Sequence, residues 1–230
     1  MIFSSEILIF FGDFAYMNEE TQKYYHILLD KLEETLEVHG FDAIQCETGK
    51  DALAYIVEHT STTDVIGYGG SKSLEEIGFF DTFTPDTYPN IINRNKPGLT
   101  QDEKAALWRK ALTADVFLAS PNAVAMSGEM IFIDKNGNRN AAVTYGPKHV
   151  YLIVGRNKIT DSAASALTRS SDVAAVKNNL RFNTGNPCTL AGRCLDCESD
   201  SRLCGVTTVL QRCVPEKTKT VILVNEDLGF

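Results

Sequence analysis

Several features are missing from this sequence, and each omission narrows the field. No apolar run is longer than about five residues, residues 150–154 being typical. A bilayer-crossing helix needs about 20, so no membrane-spanning segment is expected. Basic side chains are in deficit, 22 against 30 acidic, which gives a net charge of −8. No cluster of lysine and arginine offsets that deficit, so no nucleic-acid partner is expected. No lysine or arginine precedes Lys23, so the first residues lack the basic region of an export signal. The expected compartment is therefore the cytoplasm. The four histidines, His26, His39, His59 and His149, show no metal spacing. Internal repeats, low-complexity stretches and the nucleophile elbow of a serine hydrolase are absent as well.

What is present describes a globular chain. It has 230 residues, 43% hydrophobic and 23% charged, which is ordinary usage. A chain of this length buries roughly 70–75% of its unfolded surface and needs no staples. Residues 1–18 read as an N-terminal arm, with an apolar run at 7–11, and residues 19–230 as one domain. Residues 19–39 carry Tyr24, Ile27, Leu28, Leu32 and Leu36 at helical spacing and stop at Gly40. Thr48 is placed to cap a second helix, and Thr100 with Glu103 forms a capping box for another. Residues 64–68 and 150–154 read as buried strands, residues 205–214 and 220–224 as late ones, and residues 161–178 as a helix. Residues 79–99, with Pro85, Pro89 and Pro97, read as a surface loop. Residues 129–133 and 139–144 flank Lys135-Asn136-Gly137-Asn138, a hairpin signal. The alternation predicts an α/β fold: a mostly parallel sheet flanked by helices, with a β-hairpin insertion.

Three places carry chemistry. At the first, a strand runs into Gly69-Gly70-Ser71-Lys72-Ser73 and then a helix. Glycines let backbone amides approach a ligand, and a helix start attracts anions. Gly69, Gly70, Ser71, Lys72 and Ser73 are therefore candidate ligands for a phosphate or carboxylate, against the plainer reading of a tight turn capped by Ser71. The second is Cys188-x5-Cys194-x2-Cys197-x6-Cys204, within a cysteine-rich segment at 187–204. Four thiolates suit either zinc or an iron–sulfur cluster, with Arg193 and Arg202 near enough to offset their charge. A metal-free reduced loop is the alternative, and Cys46 and Cys213 read as core residues. The third is Ser120-Pro121-Asn122, which follows a strand and so shares the carboxyl edge of the sheet with the glycine turn. Asn122 is a candidate for holding a ligand by its amide, Glu129 for a general base or nucleophile, and Lys148 for an anion contact.

Taken jointly, these motifs resemble the LUD (lactate-utilisation) domain family. The resemblance runs from Gly69-Gly70-Ser71 to Glu76-Ile77-Gly78, and through Ala114-Asp115-Val116-Phe117, Asn122-Ala123, Asp134 with Gly137-Asn138-Arg139, and Gly146-Pro147-Lys148. It continues in Val154-Gly155-Arg156-Asn157-Lys158-Ile159, in Pro187-Cys188 through Arg202-Leu203-Cys204, and in the ending Val221-Ile222-Leu223-Val224 to Phe230. It implies a fold similar to the NagB/RpiA/CoA-transferase group, in which a glycine-rich turn often holds a phosphate-like anion. It also implies a role in oxidation of L-lactate or a related organic acid, beside iron–sulfur oxidoreductase partner proteins. A [4Fe–4S] cluster on the cysteine segment, or zinc there instead, would fit that setting. The alternatives are a transferase or hydrolase acting on a CoA ester or sugar phosphate through Glu129, and a non-catalytic metal- or ligand-binding module. A homodimer is the default expectation.

Overall fold

A computed structural model describes residues 18–230. The expected arm, with its apolar run at 7–11, lies outside the described residues apart from Asn18. Nine strands are described: β1 (Asp42–Cys46), β2 (Ile66–Tyr68), β3 (Val116–Ala119), β4 (Ala123–Ala125), β5 (Met130–Asp134), β6 (His149–Gly155), β7 (Ile159–Thr160), β8 (Val206–Leu210) and β9 (Lys219–Val224). The helices are α1 (Glu19–Val38), α2 (Gly49–Glu58), α3 (Lys72–Glu76), α4 (Phe79–Thr82), α5 (Gln101–Ala111), α6 (Asn138–Thr144), α7 (Ala163–Arg169), α8 (Val176–Arg181) and α9 (Pro187–Ala191). A π-helical turn, Ser170–Ala175, joins α7 to α8, so the long alanine-rich helix expected from the sequence exists with one wide turn inside it. None of these helices is long and apolar enough to cross a membrane.

Five strands form a parallel sheet in the order β1-β9-β6-β3-β2. A second sheet, β7-β4-β5-β8, is mixed. The architecture is α/β with a mostly parallel central sheet flanked by helices. Strand alternation sorts the core into two layers, as a period of two requires. Phe117, Val150, Leu152, Val154, Val221 and Leu223 face the cluster that receives Leu29, Leu32 and Leu36 of α1. Leu118, Tyr151, Ile153, Ile222 and Val224 face the opposite cluster, with Ala52 and Ile56 of α2. Both faces are covered, which explains why these strands read as continuous apolar runs. The expected caps form as well. Thr48 and Asp51 make a capping box on α2, and Thr100 and Glu103 another on α5.

Two expectations are corrected. The hairpin is not centred on residues 135–138. Residues 139–144 form α6 because both Asp134 carboxylate oxygens turn back on its first residues, accepting from the Asn140 N–H at 2.8 Å and from Arg139 Nε at 2.9 Å. Gly137, at φ +75°, serves a helix entry as readily as a hairpin. The antiparallel hairpin is β4–β5, turning through residues 126–129. Residues 79–99 are not simply a surface loop either. Phe79 opens α4 and is fully buried, and Phe83, Tyr88 and Ile92 are buried too. Ile92 donates its N–H to the Ile66 carbonyl at 2.8 Å, so the segment closes the outer edge of β2.

Candidate functional site

The topology sets the carboxyl ends of β2 and β3 side by side. The chain leaves β2 into Gly69-Gly70-Ser71 and leaves β3 into Ser120-Pro121-Asn122. Both segments line one cleft of about 260 Å³, with Arg94, Asp134, Arg139, Lys158, Arg181 and Phe230 among its other walls. Open α/β sheets bind ligands at this edge. Six basic side chains line the cleft, Lys72, Arg94, Lys135, Arg139, Lys158 and Arg181, against one acidic side chain, Asp134. In a chain of net charge −8 that is a local reversal of sign.

Arg139 organises the wall. Its Nε donates to Asp134 Oδ1 at 2.9 Å, one terminal nitrogen to the Ser120 carbonyl at 2.7 Å, and the other to Asn122 Oδ1 and the Ile133 carbonyl, both at 2.9 Å. Its stem lies against Gly69, where a Cβ would stand 2.9 Å from Arg139 Cδ. That contact is closer than real Cβ atoms tolerate, and Arg139 is too firmly tethered to retreat cheaply. Gly69→Ala is therefore expected to cost about 1–3 kcal/mol by overpacking, read as a lower urea midpoint at unchanged slope. Gly70 gives Arg94 the same clearance: a Cβ there would lie 2.9 Å from a guanidinium nitrogen.

Arg94 differs from Arg139 in its partners. Among the described residues its guanidinium makes no hydrogen bond or ion pair. It sits near the Tyr68 ring, 6.0 Å from the centroid, and burial lowers its pKa. Lys158 is 3% exposed. Its Nζ lies 2.6 Å from Ser120 Oγ, 2.8 Å from Ser73 Oγ and 3.3 Å from the Pro121 carbonyl. Burial first, then Arg169 and Arg139, push its pKa well below the usual lysine range, with Glu76 opposing.

The candidates named from the sequence divide. Gly70, Ser71, Lys72, Ser73 and Asn122 line the cleft, with Gly69 just behind against Arg139. Ser71 caps α3 by accepting from the Leu74 N–H, and Lys72 pairs with Glu75 at 2.7 Å. Asn122 spends its side-chain oxygen on Ile133 and Arg139, so it shapes the wall. Glu129 lies in the β4–β5 turn, bonded to Ser127, and does not line the cleft. Lys148 stands at the opposite end of the sheet, paired with Asp115 at 2.7 Å. Sequence reasoning assigned no role to Arg94, Arg139, Lys158 or Arg181. Arg139 and Lys158 do stand inside the motifs Gly137-Asn138-Arg139 and Val154-Gly155-Arg156-Asn157-Lys158-Ile159, the available signal for them.

The four cysteines of the C-terminal segment line one small cavity, together with Arg202 and Asp196, and their thiols are free. Arg202 braces the segment through the carbonyls of Cys197 and Cys204, at 2.7 and 3.0 Å. Asp172 of the π-helical turn accepts the Cys194 N–H at 3.1 Å. Burial, then the neighbouring Cys197, Cys204 and Cys194, push the Cys188 thiol up. Hydrogen bonds from Ser199, with help from Arg202, bring the Cys197 thiol down. Among the described residues no three histidine, cysteine or acidic side chains gather tightly enough to hold one metal ion. Four thiolates around zinc, at about 2.3 Å from the ion, must crowd within roughly 4 Å of one another. The two sites are neighbours. Ala174, Asn178 and Leu203 line the cleft, while Ala175, Asn179 and Cys204, the next residues in each case, line the cysteine cavity.

The LUD domain family model matches residues 29–224. No curated protein matches the chain. A solved structure of a DUF162 family protein from Deinococcus radiodurans is similar at 12% sequence identity, over 87% of this chain and 97% of that one, with a TM-score of 0.47.

Proposed function

The chain belongs to the LUD domain family, and from that premise we propose that it binds a small organic anion in the cleft beside β2 and β3, in support of oxidation of L-lactate or a related organic acid. The observation that carries the reading is the reversal of charge at the cleft, with the Arg94 guanidinium held there without a hydrogen-bond or ion-pair partner among the described residues. An anion supplies what that guanidinium lacks: a charge-assisted, potentially bidentate acceptor. The small volume favours a ligand of lactate or phosphate size.

The cysteine cavity is the second part of the proposal. Cys188, Cys194, Cys197 and Cys204 would hold a [4Fe–4S] cluster, which supplies one-electron chemistry when bound. Its place beside the cleft suits exchange of electrons with iron–sulfur partner proteins. Protein purified without oxygen is expected to contain iron and sulfide and to lose both in a Cys194→Ser, Cys197→Ser variant. Zinc in their place would make the segment a structural knuckle.

The test of the anion site is calorimetric titration of the purified chain with L-lactate, pyruvate and inorganic phosphate. At least one is expected to bind, and Arg94→Ala is expected to weaken it about tenfold or more, the loss of one charge-assisted contact. Failure of all three to bind would remove the reading. Arg94→Ala should fold normally, because among the described residues its guanidinium makes no hydrogen bond or ion pair and only a ring contact to Tyr68 at 6.0 Å.

A further inference from the structure

We propose that Ser120 and Lys158 form a serine–lysine nucleophilic pair at the floor of the cleft, hydrolysing short esters or thioesters that carry an anionic group. The choice of substrate class rests on reading the cleft as an anion site; the nucleophile itself does not.

The geometry is that of a nucleophile and its base. Ser120 Oγ lies 2.6 Å from Lys158 Nζ, within the reach required of such a pair. Ser120 sits where the chain leaves β3, and Ser73 where the glycine turn enters α3. Ser73, Ser120 and Lys158 all line the cleft while being almost wholly buried. Among the described residues no carboxylate forms an ion pair with Lys158. A buried ammonium without a counter-ion is costly, so the neutral amine is favoured. The charged groups acting on it agree in the main: Arg169 of α7 and Arg139 of α6 oppose the ammonium, and Glu76 of α3 favours it.

As it stands Nζ donates to Ser120 Oγ, Ser73 Oγ and the Pro121 carbonyl, and Ser120 Oγ donates to that same carbonyl at 3.3 Å. A neutral amine has two N–H donors and one lone pair. The donors reach Ser73 Oγ at 2.8 Å and the Pro121 carbonyl at 3.3 Å, and Ser73 in turn donates to the Leu228 carbonyl at 3.3 Å. For attack the Ser120 hydroxyl turns from the Pro121 carbonyl, 3.3 Å away, to the lone pair of the neutral amine 2.6 Å away. Lys158 is thereby engaged as a base, and Ser120 is the group free to attack. Serine–lysine pairs do this work on other folds.

The step balances without a cofactor. Ser120 Oγ forms a bond to the acyl carbon as its proton passes to Lys158 Nζ. The bond from that carbon to the alkoxy oxygen or thiol sulfur breaks, and the leaving group takes the proton from Lys158. Water then attacks the acyl carbon, giving a proton to Lys158. The Oγ–carbon bond breaks, and the proton returns to Ser120. The net reaction is ester plus water to acid plus alcohol or thiol. The guanidinium of Arg94, against Gly70, is placed to hold the anionic end of the substrate.

The test uses the wild-type chain, a fluorophosphonate probe that labels activated serines, and a nitrophenyl half-ester of succinate. Label is expected on the peptide holding Ser120. Its rate should rise with pH along a limb set below the ordinary lysine value, as the neutral amine fills. Ser120→Ala should abolish the label, and Lys158→Met should slow it about 10²–10⁴-fold, the usual worth of a general base. An unlabelled wild type, label on another serine, an unaffected Ser120→Ala, or a limb at the ordinary lysine pKa would each overturn the pair. The wild-type readouts decide even if a variant misfolds. If phosphate or L-lactate binds but no serine is labelled, the pair is wrong and the anion site stands. If Ser120 is labelled but no anion binds, the pair stands and the anion site falls.

Discussion

Replacing Arg139 with methionine is expected to destabilise the chain by about 3–5 kcal/mol, the cost of stripping one partner from a buried ion pair. The Arg139 and Asp134 side chains are 10% and 11% exposed, so little water is available to take over. The change leaves Asp134 charged and half satisfied. It also frees the Ser120 and Ile133 carbonyls and the Asn122 side chain, each of which now accepts from the guanidinium. Unsatisfied buried acceptors add to the loss. Equilibrium unfolding in urea measures it directly. Asp134→Asn, alone and combined with Arg139→Met, closes a double-mutant cycle, in which the pair is expected to show strong coupling. Because Ser120 and Asn122 are fixed through Arg139, anion binding should be lost in Arg139→Met even at temperatures where the chain stays folded.

Phe79→Ala is expected to cost a similar amount, about 3–5 kcal/mol. Phe79 is fully buried. It stacks on Phe83 at 4.7 Å, which stacks on Tyr88 at 4.2 Å, and it meets Tyr68 and Phe80 edge-on at 5.5 and 5.2 Å. Truncation leaves a cavity in a packed column and removes aromatic contacts worth more than their area. Denaturant unfolding reads the loss, and the near-ultraviolet circular dichroism of the stack should weaken with it. Tyr145→Ala is the control. That ring is 85% exposed, and its removal is expected to stay within about 0.5 kcal/mol.

These two residues mark where sequence reasoning succeeds and where it stops. The α1 helix, the caps at Thr48 and Thr100, and the central strands are local signals, and each appears in the structure, although α1 buries Leu29 with Leu32 and Leu36 and leaves Tyr24 and Ile27 of the expected stripe exposed. The pairing of the glycine turn with Ser120-Pro121-Asn122 was also legible, because both follow strands of one parallel sheet. Residues 79–99 were misread because three prolines outweighed an aromatic run whose partners, Tyr68 among them, are supplied by distant segments. The hairpin at residues 135–138 was misplaced because Asn-Gly chemistry does not reveal that Asp134 will seize the next helix. The cleft's cations were illegible for a related reason. Arg94, Arg139, Lys158 and Arg181 come from four separate stretches, and only the strand order brings them together. Glu129 and Lys148 drew attention as isolated charges, and the fold sends both away from the cleft.

The strand order has a kinetic consequence. β9 lies between β1 and β6, so β1 has no sheet neighbour until β9 arrives. Thr220 of β9 reaches its Asp42 partner across 178 residues of chain. At translation rates of about 5–20 residues per second, that interval is roughly 9–36 s. Throughout it the ribosome carries α1 and β1 with the apolar faces that Val221–Val224 will cover still open. Contacts this distant in sequence also slow refolding. The nascent chain is thus expected to depend on chaperone shielding until β9 closes the sheet.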